Sequence, residues 1–383
     1  MSPLRDVDPF CGDVIYSEAL LERPPPGVTY IPYDKALANG EIREHGRRQS
    51  ASFSRGIAAR GLSLFTWARE RSINLLRQHG VLYREPFRLI EILGRFDLVH
   101  CHTFSVRWTG LPTPVLVSNA LPLRELYSRA RGWGSFHVAV ADRVDRQLAR
   151  ASGVSHIEYG LGEADRVVAF TQTLADWYMD QGIPAERIGI VPCFPAGLSS
   201  LANRSPVPGR IGFVAGDFTA KGGHTVIAAM SRVREVRPDA HVVIAGNGVP
   251  VSAAALDAAG ANLVGYVPRD DLINEILPSC QIFVYPSHFD GLPLTLLEAL
   301  ATGLPCVVSD YFALPEIVGP GGRVIKEGDS NALAEAVLDL LEPTANDVAA
   351  RAANDRYEST FNPAIVLPLL RANYEAAMLT RAS

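Results

Sequence analysis

Short apolar runs of strand length alternate with helix-length amphipathic segments along most of the chain. In the second half the rhythm is regular, with strands expected at 211–215, 242–245, 262–267, 281–285 and 306–308. Helices are expected after Lys221 and at 269–278, 294–302 and 331–342. Strands that are apolar throughout, rather than alternating, are buried on both faces, so the pattern predicts a parallel sheet covered by helices. The first half repeats the rhythm more loosely, with strands expected at 28–31, 97–101, 115–117, 166–170 and 188–191 and a long helical stretch over 56–91. Pro, Gly, Ser and Asn dominate 193–209, which reads as a linker. The expected organisation is α/β: a Rossmann-like domain over 1–195, a second over 210–360, and a helix over 361–383 that packs back toward the first.

Composition adds exclusions. The length of 383 residues suits two domains, and 48% hydrophobic with 20% charged residues fits a globular enzyme. A net charge of -5 lacks the basic footprint of a nucleic-acid coat. No apolar run reaches the roughly 18 residues of a membrane span, and the first residues lack the apolar core of a signal peptide. The cytoplasm is therefore the expected compartment. Five cysteines stand apart with no Cys-x-x-Cys pair, which argues against structural zinc and a disulfide framework.

The charge is uneven. From Glu41 to Arg95 there are eleven arginines, no lysine and five acids. Within 56–79, Leu64, Phe65, Ala68, Leu75 and Leu76 share one arc of a helical wheel, with Arg60 and Arg71 on one side and Arg69 on the other. Two readings stay open. One is a core-facing helix with a solvated arginine face. The other is a helix lying on an anionic membrane, each basic residue adding about 1 kcal/mol, which would hold the protein peripherally on the inner face of the membrane.

The densest chemistry lies at His288-Phe-Asp-Gly-Leu-Pro-Leu-Thr-Leu-Leu-Glu298, after an expected strand and at the start of an expected helix. Pro293 suits a first helical turn, where its missing N–H would have no partner. The turn through Gly291, Leu292, Pro293 and Leu294 then offers backbone amides and a helix dipole to an anion such as a diphosphate. Asp290 lies above this turn, and Glu298 leans back toward it. Two carboxylates around an anion site suit a polyhydroxyl ligand. The plainer alternative is a capping aspartate and a solvated glutamate.

Asp290 and Glu298, with seven residues between them, together with Gly291, Pro293 and Ala299-Leu-Ala-Thr-Gly303, resemble the acidic-x7-Glu signature of retaining GT-B glycosyltransferases of family 4. Segments 164–171, 184–192, 216–222 and 265–267 resemble the family's corresponding strands and loops in order and spacing, so the resemblance covers roughly 95–380. It implies two Rossmann-like domains facing a central cleft. It implies a nucleotide diphosphate sugar, UDP- or GDP-linked, as donor and a hydroxyl acceptor on a glycan, a small molecule or a lipid-linked carrier. No metal or other cofactor is implied. Glu298 would bind the ribose and Asp290 the transferred sugar. Lys221, with Gly222 in its loop, would face the diphosphate, helped by the amides of 291–294, and Tyr266 and Val267 would flank the base.

The same resemblance shows departures. Only Gly12 is placed to stand for the family's N-terminal glycine loop. Asp217 and Ala220 occupy the places where an arginine usually accompanies the phosphate-loop lysine, and Asn119 stands near where a histidine is common. His100 and His102 end an expected strand and share one of its faces. His102 is a catalytic candidate, and His100 and Asn119 belong to the acceptor side; a purely structural histidine pair is the alternative. Arg269-Asp270-Asp271 reads as a solvated helix start. Two other functions stay open: a non-catalytic subunit of the same fold regulating a partner enzyme, and a nucleotide-sugar epimerase.

Overall fold

The structure, a computed structural model, describes residues 12–45, 88–102, 106–110, 113–118, 140, 143, 161, 164–195, 204–291 and 293–382. The amphipathic stretch 56–79, Asn119 and Leu292 lie outside the described residues. The strands are β1 (Ile42–His45), β2 (Arg88–Ile92), β3 (Val99–Cys101), β4 (Val106–Gly110), β5 (Val115–Ser118), β6 (Arg166–Ala169), β7 (Ile188–Ile190), β8 (Arg210–Val214), β9 (His241–Ala245), β10 (Ala261–Gly265), β11 (Ile282–Tyr285), β12 (Cys306–Ser309) and β13 (Gly322–Ile325).

They form three sheets. The second half builds a six-stranded sheet in the order β10-β9-β8-β11-β12-β13. Each of its pairings is parallel. The first half builds a parallel four-stranded sheet, β3-β5-β6-β7, and a three-stranded sheet, β1-β2-β4, in which β1 runs antiparallel to β2.

Side-chain alternation sorts residues to two faces of each large sheet. On β11, Phe283 and Tyr285 enter one buried cluster while Ile282 and Val284 enter another. On β6, Val168 joins the first cluster and Val167 and Ala169 a third. The Gly223–Val236 helix covers the six-stranded sheet with Val226, Ile227, Met230 and Val233, at the three-to-four spacing of one helical face. Asp329 starts the Ser330–Leu341 helix beside it by accepting from the N–H groups of Asn331 and Ala332 at 3.0 and 2.9 Å.

The first cluster unites the halves. Leu116 and Val168 of the four-stranded sheet share it with Phe283 and Val308 of the six-stranded one. The C-terminal helix, Pro363–Ala382, adds Val366, Leu370, Tyr374 and Ala377 and lies on β5 and β6. Arg166 Nε donates to Asn373 Oδ1 at 2.8 Å across that seam.

Several local expectations need correction. Residues 28–31 are not a strand; they form a loop between the Gly12–Glu22 and Tyr33–Ala38 helices. The helical stretch expected over 56–91 cannot run to its end, because Arg88–Ile92 is β2 and pairs with β1 and β4. Among the described residues no helix is long and apolar enough to cross a membrane.

Candidate functional site

The six-stranded sheet changes direction between β8 and β11. From β8 the chain steps outward through β9 to β10, then returns to place β11 on the other side of β8. In parallel sheets the crevice at the strands' C-terminal ends opens at such a point, because the two connections leave on opposite faces. The loops after β8 (216–222) and after β11 (286–291) meet here. Gly222 locks them together: its φ is +80° and a Cβ would lie 2.1 Å from the Pro286 carbonyl oxygen, so only glycine fits. The His288 N–H donates to the Ala220 carbonyl at 2.9 Å, and Ser309 Oγ donates to the Ser287 carbonyl at 2.5 Å.

This meeting sets Lys221 against Asp290. Lys221 Nζ donates to Asp290 Oδ2, donates to the Phe289 carbonyl at 3.0 Å, and stands 5.6 Å above the Tyr285 ring. Tyr285 OH donates to the same Oδ2. Burial, and next the negative charge of Asp290, push the Tyr285 phenol well above its usual range, so it remains a donor. Both donors use Oδ2, and Oδ1 has no hydrogen-bond partner among the described residues. Tyr285 was missed in the sequence. The available signal was a polar tip on the last residue of a buried strand, at the edge where ligands gather.

Glu298 lies within the Leu294–Ala301 helix and is 2% exposed, so it is not a solvated helix residue. Its Oε1 accepts from Arg269 Nε at 2.9 Å and lies 2.7 Å from Arg269 Nη2. Arg269 is thus not a solvated helix start either; it turns inward from the first residue of the helical run over 269–279. Burial raises the Glu298 carboxyl above its usual value, and Arg269 opposes that rise. Oε2 has no hydrogen-bond partner among the described residues. Among the described residues, each carboxylate therefore has one oxygen committed to protein donors and one without such a donor.

Pro293 is the N-cap of this helix, just ahead of its first residue, Leu294. Among the described residues no side chain caps the helix, and the Leu296 and Leu297 N–H groups donate to the Pro293 carbonyl at 3.0 and 3.4 Å. Gly291 lies in the bend before it. Tyr266 follows β10 and is half exposed at 50%, while Val267 is partly buried against the core shared by both halves. Gly12 does not form a loop; it is the first residue of the Gly12–Glu22 helix.

The two histidines end β3 in a polar chain. His100 Nε2 and His102 Nδ1 both lie 2.8 Å from Ser118 Oγ. His100 Nδ1 is 2.7 Å from the hydroxyl of Tyr374. His102 is 3% exposed and packs on the rings of Tyr16 and Phe170. The sequence offered no sign of Tyr374, 274 residues from His100.

Comparison with known proteins bears on this arrangement. Sucrose-phosphate synthase from Thermosynechococcus elongatus superposes with a TM-score of 0.55 at 18% identity, over 94% of this chain and 83% of that one. The chain has the GT-B fold. Residues 208–343 match the family described as Glycosyl transferases group 1. The O-antigen chain mannosyltransferase B of Escherichia coli is 39% identical over 79 residues, 21% of this chain and 20% of that protein. The GDP-mannose-dependent monoacylated alpha-(1-6)-phosphatidylinositol monomannoside mannosyltransferase of Corynebacterium glutamicum is 32% identical over 145 residues, 35% of this chain and 38% of that protein. These matches span well under half the length of the curated relatives. The GT-B fold faces two such sheets across a cleft, and the pairs Lys221–Asp290 and Arg269–Glu298 both belong to the matched segment.

Proposed function

We propose that the protein is a glycosyltransferase moving a sugar, with retention of anomeric configuration, from a nucleotide diphosphate sugar to a hydroxyl acceptor. The observation that carries this reading is the convergence of Lys221, Tyr285 and Asp290 at the switch point of the six-stranded sheet. The match of residues 208–343 to the Glycosyl transferases group 1 family and the partial matches to mannosyltransferases support it.

In this reading the diphosphate lies at the start of the Leu294–Ala301 helix, where the first N–H groups and the helix dipole meet it. Lys221 is then shared between Asp290 and a phosphate oxygen. As the bond from the anomeric carbon to the phosphate oxygen breaks, negative charge grows on the diphosphate. Lys221 and the helix amides lie ready to stabilise it without reorganisation. The acceptor oxygen forms its bond on the same face, and its proton passes to the departing phosphate oxygen. Asp290 Oδ1 and Glu298 Oε2 take hydroxyl hydrogens of the sugar and the ribose. No metal enters this scheme.

The test is thermal stability with UDP, GDP, ADP and their common sugar conjugates, for wild type and Glu298→Ala. At 100 times its dissociation constant a ligand adds about 2.7 kcal/mol to the native state. One nucleotide is expected to stabilise the wild type and to lose that effect in Glu298→Ala. Absence of stabilisation by every nucleotide would remove the donor site and favour a non-catalytic subunit. We further propose that 56–79 contacts an anionic membrane carrying a lipid-linked acceptor. Pelleting with anionic liposomes tests it, and no binding at low salt would end that proposal.

A further inference from the structure

The loop that follows β10 and the helix that carries Glu298 are joined through Arg269. Tyr266 and Val267 follow β10, Pro268 ends that loop, and Arg269 opens the helical run over 269–279. Asp270 and Asp271 beside it are exposed. Leu272 lies one turn on, on Arg269's side of the run. It is buried in the same cluster as Leu294 and Leu297 of the Leu294–Ala301 helix. That packing pins Arg269's side of the run against the helix of Glu298, and the side chain closes the 29 residues between them.

Both guanidinium contacts fall on one oxygen. An arginine meeting a carboxylate commonly spends two N–H groups on two oxygens. Here Nε donates to Glu298 Oε1 at 2.9 Å, and Nη2 lies 2.7 Å from the same Oε1. Two nitrogens of a rigid planar group therefore fix Oε1 and limit how the carboxylate can turn. Oε2 is left without a protein donor among the described residues. A buried carboxylate oxygen in that position is costly, and whatever satisfies it must bring a hydrogen.

We propose that Arg269 is a positioning residue for ribose recognition: it clamps Oε1 and so presents Glu298 Oε2 as a fixed acceptor for a ribose hydroxyl. The ligand class is a ribonucleoside diphosphate, and selection against its deoxy forms follows from the clamp. Arg269 acts through Glu298 and need not touch the ligand. The part played by ribose rests on the donor reading above, while the clamp rests on the contact itself.

Removing the clamp changes the chemistry of Glu298 as well as its direction. Burial raises its carboxyl, and the Arg269 charge opposes the rise. Without Arg269 the carboxyl takes its proton at higher pH, and a neutral carboxyl is a weaker acceptor. The other groups packed around this helix leave that effect in view. Tyr357 comes from the Pro343–Thr360 helix. Burial first, then Glu358, with Glu298 a smaller contributor, push its phenol up to about 12, so it stays neutral. Glu316, on the Leu314–Val318 helix, turns its carboxylate to the Gln172 and Thr173 N–H groups. The Cys306 thiol of β12 is pushed well up by burial and stays neutral too.

The experiment is calorimetric titration of UDP and GDP, each against its 2′-deoxy and 3′-deoxy forms, into the full chain from mildly acid to neutral pH. At neutral pH the wild type is expected to prefer one ribonucleotide over at least one of its deoxy forms by about ten- to a hundredfold, as a hydrogen bond to a charged acceptor allows. Arg269→Met is expected to bring the ribonucleotide down to the deoxy level and to leave deoxy binding unchanged. Arg269→Lys keeps the charge without the two-nitrogen clamp, and is expected to retain only part of the preference. It carries the test if Arg269→Met does not fold. Glu298→Gln is expected to lose the preference, and adding Arg269→Met to it to cost nothing further. Carbon NMR with carboxyl-labelled glutamate, assigned through Glu298→Gln, is expected to show Glu298 taking its proton at higher pH in Arg269→Met. Asp271→Asn, on the exposed side of the run, is the control and is expected to alter none of these. A wild type that binds ribo and deoxy forms alike, a preference undiminished in the Arg269 variants, or equal losses for both forms overturns the proposal. Absence of wild-type binding by every nucleotide refutes the donor reading itself, and the ribose role falls with it.

Discussion

Glu316 closes the start of a helix that belongs to the other half of the molecule, and Thr173 is its principal partner. Glu316 Oε2 accepts from the Thr173 N–H at 2.9 Å and from Thr173 Oγ1 at 2.8 Å, while Oε1 accepts from the Gln172 N–H at 2.6 Å. The carboxylate comes from the Leu314–Val318 helix after β12, and the donors from the Gln172–Asp180 helix after β6. A negative charge at a helix N-terminus is favoured by the dipole as well as by the bonds. Arg356 anchors the acid's own backbone, donating from Nη2 to the Glu316 carbonyl at 2.6 Å.

Breaking this contact is expected to weaken the joint between the halves. Because the site is partly exposed, Glu316→Ala is expected to cost only about 1–2 kcal/mol. A double-mutant cycle with Thr173→Ala is expected to show a coupling of at least about 0.5 kcal/mol. Solution scattering should record a larger radius of gyration for Glu316→Ala. Additive single effects with unchanged scattering would mean that the contact carries no weight.

The pair of Arg269 and Glu298 makes a prediction in pH. Burial raises the Glu298 carboxyl above its unfolded value. Such a group binds its proton more tightly when folded, so its contribution is full below the unfolded pKa and is lost as pH rises through the folded one. Arg269→Ala removes the charge that opposes the rise and strands a buried carboxylate. A loss of about 3–5 kcal/mol is expected at neutral pH. The deficit should shrink as pH falls below about 4, where the carboxyl becomes neutral in both states. Denaturation curves for wild type and variant across this range check it; a deficit independent of pH would show that the pair is not ionic.

Gly222 offers a backbone test. With φ at +80° and the Pro286 carbonyl against its Cα, Gly222→Ala must both strain the chain and push the two loops apart. A destabilisation of at least about 2 kcal/mol is expected, with loss of nucleotide-dependent stabilisation. Retained nucleotide binding in a destabilised Gly222→Ala variant would mean that the loops need not touch for the site to form.

The six-stranded sheet was legible because β8, β9, β11 and β12 are buried on both faces and carry apolar runs, at 211–214, 242–245, 282–285 and 306–308. The three-stranded sheet was not, since Arg43, Arg88 and Arg107 sit within its strands and break any apolar run. The Gly12–Glu22 helix was hidden for a related reason: its apolar residues mark no single face. At the site, Lys221, Asp290 and Glu298 stood out by spacing within a short stretch. Their protein partners did not, because Arg269 lies 29 residues from Glu298 and the pairing exists only once the sheet has ordered the loops. The same holds for Glu316 and Thr173, which are 143 residues apart. Local pattern carries local structure and short motifs; contacts closed by topology carry the electrostatics.

Tyr285 separates two roles that the site combines. Tyr285→Phe keeps the ring, which stacks on Phe283 at 6.0 Å between centroids and lies under Lys221, and removes only the hydroxyl that Asp290 accepts. The fold should survive, since the lost group faces the site and the ring's packing stays. A hydrogen bond to a charged acceptor is worth about 1.5–3 kcal/mol, so kcat/KM for sugar transfer should fall about ten- to a hundredfold. If Asp290 addresses the sugar and Lys221 the diphosphate, the free nucleoside diphosphate should bind the variant as tightly as the wild type, while its sugar conjugate binds less well. Calorimetric titration of both ligands into both proteins makes the comparison directly. Equal losses for nucleotide and conjugate would instead assign the whole Tyr285–Asp290–Lys221 cluster to the diphosphate and leave the sugar hydroxyls to other residues.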